Sequence, residues 1–353
     1  MERFGVGGDA VSVGRVPEVL ASAYGLVVDR VSRIPIGEGT VNVRARSVGG
    51  RELFVKVYPA GVDLGAERAA IGLSAVAGRA GVPVAVPVPD RDGHLLTVAS
   101  GNAVSVWGWV PGRTLAADPT PARYQAAGAA LGRLHAALAG LPASSGPAPQ
   151  VEQWRHPDVA ALRLRIDGLL AESADRIDRG LGDPFDVTAA ETLTERRESL
   201  HHVPRLLADL PELSAQVLHG DYSAPNLLFD GDRLAAVVDF TPPDPFLVSY
   251  ELGRIAFTPD TVTGDLDWED TALAVVAAYV GTNPAVSPVD VRACARVTAV
   301  HLLASLYGVE DHYRTPGRFQ DDLDRFWVRR HRTVAALLAR LPVLEERLHE
   351  LVP

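Results

Sequence analysis

The stretch that most constrains this chain runs from residue 216 to 240, QVLHGDYSAPNLLFDGDRLAAVVDF. Asp221 and Asn226 are separated by four residues, in the pattern His-Gly-Asp-x-x-x-x-Asn. The apolar run Leu227-Leu228-Phe229 then meets Asp230-Gly231, and a second apolar run leads from Leu234 to Val238. An Asp-Gly pair between apolar runs is a strong hairpin signal, because glycine supplies the positive φ that a tight turn needs. Such a hairpin carries Asp239 back beside Asn226. An ordinary hairpin with polar turns would share parts of this pattern, and D-x-x-x-x-N alone arises often by chance. The preceding His-Gly and the following Asp239-Phe240 make it specific.

The residue types suit a particular chemistry. Mg²⁺ is a hard ion that takes a few protein oxygens and completes its shell with phosphates and water. One carboxylate and one amide oxygen, Asp239 and Asn226, match that demand. A second carboxylate off the metal, Asp221, can orient a hydroxyl and take its proton. The spacing matches the kinase catalytic loop, where an Asp receives the substrate proton and an Asn holds magnesium. Asp239-Phe240 stands in the place of the D-F-G motif, with Thr241 where the glycine would be.

On these residues the segment resembles the aminoglycoside phosphotransferase family, whose superfamily includes choline-kinase-like and homoserine-kinase-like enzymes. The resemblance spans about residues 30 to 260 and is most specific from 219 to 240. It implies an α+β, bilobal, protein-kinase-like fold. The small N-terminal lobe, 1–110, would hold an antiparallel sheet plus a helix and bind nucleotide. The larger, mainly helical C-terminal lobe, 111–353, would carry catalysis and the acceptor. Asp221 would be the catalytic residue, Asn226 and Asp239 the Mg²⁺ ligands, and ATP the phosphoryl donor.

Upstream, strand-like segments run over Val27–Ile36, Val41–Val48 and Glu52–Tyr58, after a short helix at 16–24. The first two are joined by Gly37-Glu38-Gly39-Thr40, a turn whose glycines and free N–H groups suit close approach to phosphate. It follows neither G-x-G-x-x-G nor a Walker loop, and as a lone signal it also fits a plain hairpin turn. In the resembling family this loop often carries a small residue and an Asn, as Thr40 and Asn42 do here. Lys56 interrupts the apolar strand Leu53–Tyr58, and alternation puts it on one face with Phe54 and Tyr58. A lysine there costs burial energy unless it meets an anion, so Lys56 is the expected phosphate-binding lysine. A helix over 63–80, capped by Asp63, brings Glu67 as the expected partner of that lysine. The strand Val104–Val110 ends at Pro111-Gly112, as the family's passage between lobes does. Backbone groups from Val106 to Trp109 would meet an adenine edge, with Trp107 and Trp109 either walling that pocket or serving as core.

The remainder reads as helical over 121–139, 158–179, 186–208, 268–281, 288–308 and 318–350. The string Leu131-Gly132-Arg133-Leu134-His135 is typical of the resembling family, and His135 is expected to pack and hydrogen-bond rather than act as a base. Glu251 stands where the family commonly has Asp.

The 353 residues suffice for a sizeable core, and a hydrophobic content of 47% with 22% charged residues is that of a soluble globular protein. A single cysteine, Cys294, excludes a disulfide framework within the chain and fits a reducing cytoplasm. It lies in a helical pattern and reads as a buried structural thiol. The net charge of −10 argues against nucleic acid as the main partner. No apolar run is long enough for a membrane span, and no secretory signal is evident. The expectation is a cytoplasmic ATP- and Mg²⁺-dependent phosphotransferase acting on a hydroxyl of a small molecule. An aminoglycoside or other antibiotic is the leading acceptor, by family frequency. Homoserine, choline, sugar or nucleoside acceptors are the alternative, and a nucleotide-binding pseudokinase is the rival from another class.

Overall fold

A computed structural model describes residues 13–35, 39–99, 101–141, 149–264, 267–317 and 319–352. The chain divides into two compact units. The first takes in the chain up to Thr114 together with His219–Asp221 and Asn226–Pro243; the second takes in Leu115–Leu218, Tyr222–Pro225 and Asp244 onward.

The first unit is built on an antiparallel sheet. Its strands are β1 (Val28–Ile34), β2 (Val41–Ser47), β3 (Glu52–Tyr58), β4 (Pro87–Val88), β5 (Thr97–Ala99) and β6 (Asn102–Gly108). They run in the order β1-β2-β3-β6-β4, with β5 also on β6. Alternation in β3 behaves as its sequence demands. Leu53, Val55 and Val57 are fully buried against helix α1 (Val16–Tyr24), in a core with Val16, Leu20, Val43 and Val106. The opposite face carries Tyr58 into a second cluster with Ile71 of helix α2 (Leu64–Arg79) and Leu96. Asp63 caps α2 as expected, accepting from the N–H of Gly65 at 2.9 Å and of Ala66 at 3.1 Å. A second, three-stranded sheet joins β7 (Arg113–Thr114) to the hairpin of Leu227–Asp230 and Arg233–Val237. Gly231 makes the turn at φ 58°.

The second unit is mainly helical. Helix α3 (Pro121–Leu138) lies against the helix Trp268–Thr282. A Cβ on Gly132 would fall 2.4 Å from the carbonyl oxygen of Tyr279, so only glycine lets these backbones approach. The glycine of the Leu-Gly-Arg-Leu-His string is therefore a packing residue. The histidine of that string is fully buried, and so is Glu251 on the helix Val248–Ala256. His135 Nε2 lies 2.9 Å from Glu251 Oε2, and Nδ1 lies 2.9 Å from the Tyr279 hydroxyl. The Asn283 amide donates to that hydroxyl at 3.1 Å. A carboxylate only accepts, so Nε2 carries the proton and Nδ1 receives the tyrosine's. The network ties three helices together.

Sequence patterning and structure differ in places. The helix expected over 186–208 is two, Pro184–Ser199 and His202–Ala208, with Asp183 forming a capping box at the start of the first. The short strands Ala215–Val217 and Pro245–Leu247 pair with each other and carry no periodic signal of their own. Cys294 is fully buried, and burial pushes its thiol up to about 12, which makes it inert. Among the described residues, no helix is long and apolar enough to cross a membrane.

Candidate active site

Four of the residues singled out by sequence, Lys56, Asp221, Asn226 and Asp239, lie in the first unit. The loop from residue 219 is held by contacts of its own backbone. His219 is fully buried; its Nε2 donates to the carbonyl of Val238 at 3.0 Å, and its Nδ1 accepts from the N–H of Asp221 at 3.2 Å. One neutral tautomer serves both bonds. The ring also packs on Phe240, with centroids 4.4 Å apart. Gly220 follows with φ 87°, and Thr241 donates to the His219 carbonyl from its N–H and its hydroxyl, each at 3.0 Å. His219 and Thr241 thus lock the loop to the chain leaving the hairpin. The His-Gly signature pointed to this stretch, while the partners that give the histidine its work were not legible.

Asn226 donates from Nδ2 to the Asp221 carbonyl at 2.9 Å and to its carboxylate Oδ2 at 2.8 Å. Both partners are acceptors, so the amide nitrogen faces them and Oδ1 is turned away. Val238 donates to the Asn226 carbonyl at 3.0 Å, which closes the hairpin and brings Asp239 to this end. Asp239 has φ 63°, the one positive φ at a non-glycine position among the described residues. Left-handed backbone costs an L-residue roughly 1–2 kcal/mol. Strain of this kind persists where the surroundings over-determine it, commonly at functional sites.

Lys56 Nζ lies 2.9 Å from Asp239 Oδ1. The lysine is 20% exposed and the aspartate 55%, so the pair is worth little in stability. Asn42 is directly opposite Lys56 across β2 and β3, and Thr40 donates to its amide oxygen at 3.4 Å. Gly39 has φ 75° with open space around it; Gly37 and Glu38 lie outside the described residues. Glu67 sits beside Tyr58 on the face that carries Lys56: burial pushes the Tyr58 phenol up, and the Glu67 carboxylate pushes it the same way. The Lys56 ammonium itself pairs with Asp239 rather than with Glu67.

The other expected nucleotide contacts are more dispersed. Val106 is buried in the core facing α1. Trp107 donates from Nε1 to the Ser105 hydroxyl at 3.0 Å and packs on the Tyr58 cluster. Trp109 carries the Arg44 guanidinium 4.2 Å over its ring. The N–H groups of Gly108 and Trp109 are already bonded within the sheet, to Val86 at 2.9 Å and Glu52 at 3.2 Å.

The donor set fits a hard divalent ion. Asn226 Oδ1 faces away from Asp221, and Asp239 keeps its second carboxylate oxygen out of the Lys56 pair. That leaves one amide and one carboxylate oxygen, with an ammonium beside them to meet an anion.

The sequence matches the APH phosphotransferase enzyme family over residues 31–289, and the chain belongs to that family. It is 32% identical over 160 residues to a homoserine kinase of Rhizobium meliloti, a match covering 45% of this chain and 42% of that protein. It is 26% identical over 250 residues to a homoserine kinase of Methylobacillus flagellatus, covering 71% of this chain and 63% of that one. These matches span less than two thirds of the relatives' own length. The fold is that of spectinomycin phosphotransferase, solved with ADP and spectinomycin: TM-score 0.65, 14% identity, 95% of this chain and 98% of the other. An aminoglycoside phosphotransferase from Alicyclobacillus acidocaldarius shares it, with TM-score 0.62, 18% identity and coverage of 98% and 99%.

Proposed function

We propose that the protein is an ATP-dependent phosphotransferase that moves the γ-phosphoryl group onto a hydroxyl of a small molecule. The observation that carries this is the grouping of Asp221, Asn226 and Asp239 on one loop and hairpin, with Lys56 of β3 paired to Asp239. Asp221 orients the acceptor hydroxyl and takes its proton as the oxygen bonds to the γ-phosphorus, and the bond to the ADP oxygen breaks. Asn226 donates to the Asp221 carboxylate and fixes its direction. Asn226 and Asp239 would hold Mg²⁺, which neutralises charge on the phosphates when bound. Lys56 meets phosphate oxygen, and Asp239 holds it in place. Glu67 supports that face through Tyr58. Gly39, Thr40 and Asn42 border the phosphates, and the adenine lies at the Trp107 and Trp109 end of its strand, with Val106 supporting that end from the core. Such a catalyst works by alignment and charge stabilisation more than by covalent chemistry. A pseudokinase would need no hydroxyl-orienting carboxylate braced in this way.

Two acceptor classes have support. Antibiotics are favoured by the company of the fold, which is a likeness of architecture alone. A metabolite of the homoserine kind is favoured by relatives in sequence, and it is the better supported of the two. The buried, unpaired Cys294 and the need for ATP suit the cytoplasm.

The test is ADP release with Mg-ATP across a panel of L-homoserine, amino alcohols, choline, sugars, nucleosides, spectinomycin and other aminoglycosides. Acceptor-dependent turnover is expected with one class. ATP binding without turnover for any hydroxyl would sink the reading in favour of a binding protein.

A further inference from the structure

The second unit holds a cluster of basic side chains, one of which, Arg330, is not neutralised by any described residue. Four basic residues follow one another on the helix Gln320–Leu351: Arg329, Arg330, His331 and Arg332. Two of them are paired with acids. Arg329 Nη1 lies 2.6 Å from Asp260, and His331 Nε2 lies 2.9 Å from Glu195. Arg330, between them, is only 5% exposed, yet among the described residues it has neither a carboxylate partner nor a hydrogen bond. Its guanidinium rests instead on two rings, 5.8 Å from the Tyr307 centroid and 5.6 Å from that of Phe326. Unlike Nε and Nη2 of Arg196, its nitrogens are not sealed from solvent.

The surroundings add donors and positive charge. His301 packs edge-on against Tyr250 with centroids 4.8 Å apart, and its ring nitrogens also lack a hydrogen-bond partner among the described residues. Arg254 donates to the Tyr250 hydroxyl at 3.3 Å. Burial and the charge of nearby Arg254 hold the Arg330 guanidinium down at about 10. Burial, Arg330 and Arg254 hold His301 down at about 3, so its imidazole is neutral and offers one N–H donor. The neighbouring Arg196 differs: it spends Nη1 on the carbonyls of Leu302, Leu303 and Ser305 and stacks on Trp327, so it ties down the C-terminal end of the helix Pro288–Ala304.

A buried guanidinium without a counter-charge is costly, because its lost hydration is not repaid. Native structures leave few such groups, and each needs a reason. The planar fork of arginine matches a carboxylate or phosphate in a two-pronged bond. The geometry points to an oxyanion-binding site in the second unit, in which Arg330 grips the group, His301 donates a further hydrogen bond, and Tyr250, Tyr307 and Phe326 form its walls. The ligand class is a small molecule bearing a carboxylate or phosphate group. That group belongs either to the phosphoryl acceptor or to a separate anionic effector.

Sulfate is a suitable probe because it needs no turnover, so this inference stands or falls apart from the phosphotransferase reading. The parent would carry Lys56→Ala, which removes the lysine assigned to phosphate. Tm is followed against sodium sulfate, with sodium chloride at equal ionic strength as the reference. A saturable rise is expected in the parent. Arg330→Gln should raise the half-saturating sulfate by at least about tenfold, while Arg330→Lys, which keeps the charge but loses the fork, should raise it by less. If Arg330→Gln does not fold, His301→Gln takes its place, with a smaller shift in the same direction. An unchanged sulfate response in the glutamine variants, or none in the parent, would overturn the site. With Lys56 restored, KM is then compared for L-homoserine against 3-aminopropan-1-ol, and for glycerol 3-phosphate against glycerol. A rise in KM confined to the anionic member of a pair assigns the group to the acceptor. Lost sulfate binding with an equal effect on both members assigns it to an effector. Either pattern upholds the site.

Discussion

Gly220→Ala is the perturbation whose cost follows most directly from the structure. Gly220 has φ 87°, and a Cβ placed there would lie 1.8 Å from Thr241 Oγ1 and 2.9 Å from Thr241 Cβ. The positive φ alone costs an alanine about 1–2 kcal/mol. The overlap cannot be relieved by bending, so the threonine must rotate and give up its 3.0 Å hydrogen bond to the His219 carbonyl. A net hydrogen bond is worth about 0.5–1.5 kcal/mol. The sum is about 1.5–3.5 kcal/mol, before any shift of Asp221, the next residue. Urea unfolding would show a lower midpoint with an unchanged slope. Turnover should fall further than stability does, because the loop that holds Asp221 is displaced. Thr241→Gly removes both the clash and the hydroxyl's bond, so adding Gly220→Ala to that variant should cost only the φ penalty of about 1–2 kcal/mol. A Gly220→Ala protein within about 0.5 kcal/mol of wild type would refute the account of how this loop is held.

Other expectations separate function from stability. Lys56→Met should lower kcat/KM by about 100–1,000-fold, as loss of one preorganised charge does. Its unfolding midpoint should barely move, since the aspartate end of the Lys56–Asp239 pair is open to water. A large loss of stability would make the pair structural instead. Glu251→Ala should cost about 1–3 kcal/mol in denaturant unfolding, because it leaves the His135 N–H unsatisfied in a fully buried network. Glu251→Gln, which can still accept from Nε2, should cost less, and equal costs would contradict the assigned hydrogen bonds. His301 titrates at about 3 in the folded state against an ordinary 6.5, chiefly through burial, so the unfolded chain binds its proton first as pH falls. Its contribution is complete above pH 6.5 and fades toward pH 3, with about 2 kcal/mol gone by pH 5. His301→Gln should flatten the stability-versus-pH curve between pH 7 and 5 by that amount, and an unchanged slope would place the histidine in a more open setting.

What was legible in the sequence was whatever local chemistry dictates. The hairpin announced itself through Asp230-Gly231 between apolar runs, and α2 through Asp63 at its start. Alternation in β3 put Lys56 on the face opposite the core, where the structure has it. What escaped depends on distant partners. Nothing in the local pattern says that Lys56 pairs with Asp239, 183 residues on, rather than with the nearby Glu67. Nor could the pattern show that the Ala215–Val217 strand exists only because Pro245–Leu247 pairs with it. The left-handed backbone of Asp239 was hidden for the same reason, since it is imposed by the bonds around it rather than by its own preference. Glu251, which departs from the commoner Asp, became intelligible once His135 was found at its carboxylate.

The central claim is that Asp221 handles the acceptor proton while Asn226 and Asp239 hold the metal. The most direct measurement is single-turnover phosphoryl transfer to the acceptor found in the panel, alongside Mg-ATP affinity, for wild type and Asp221→Asn. The account predicts transfer slowed by about 100- to 10,000-fold with nucleotide affinity nearly unchanged. Transfer at the wild-type rate would contradict it.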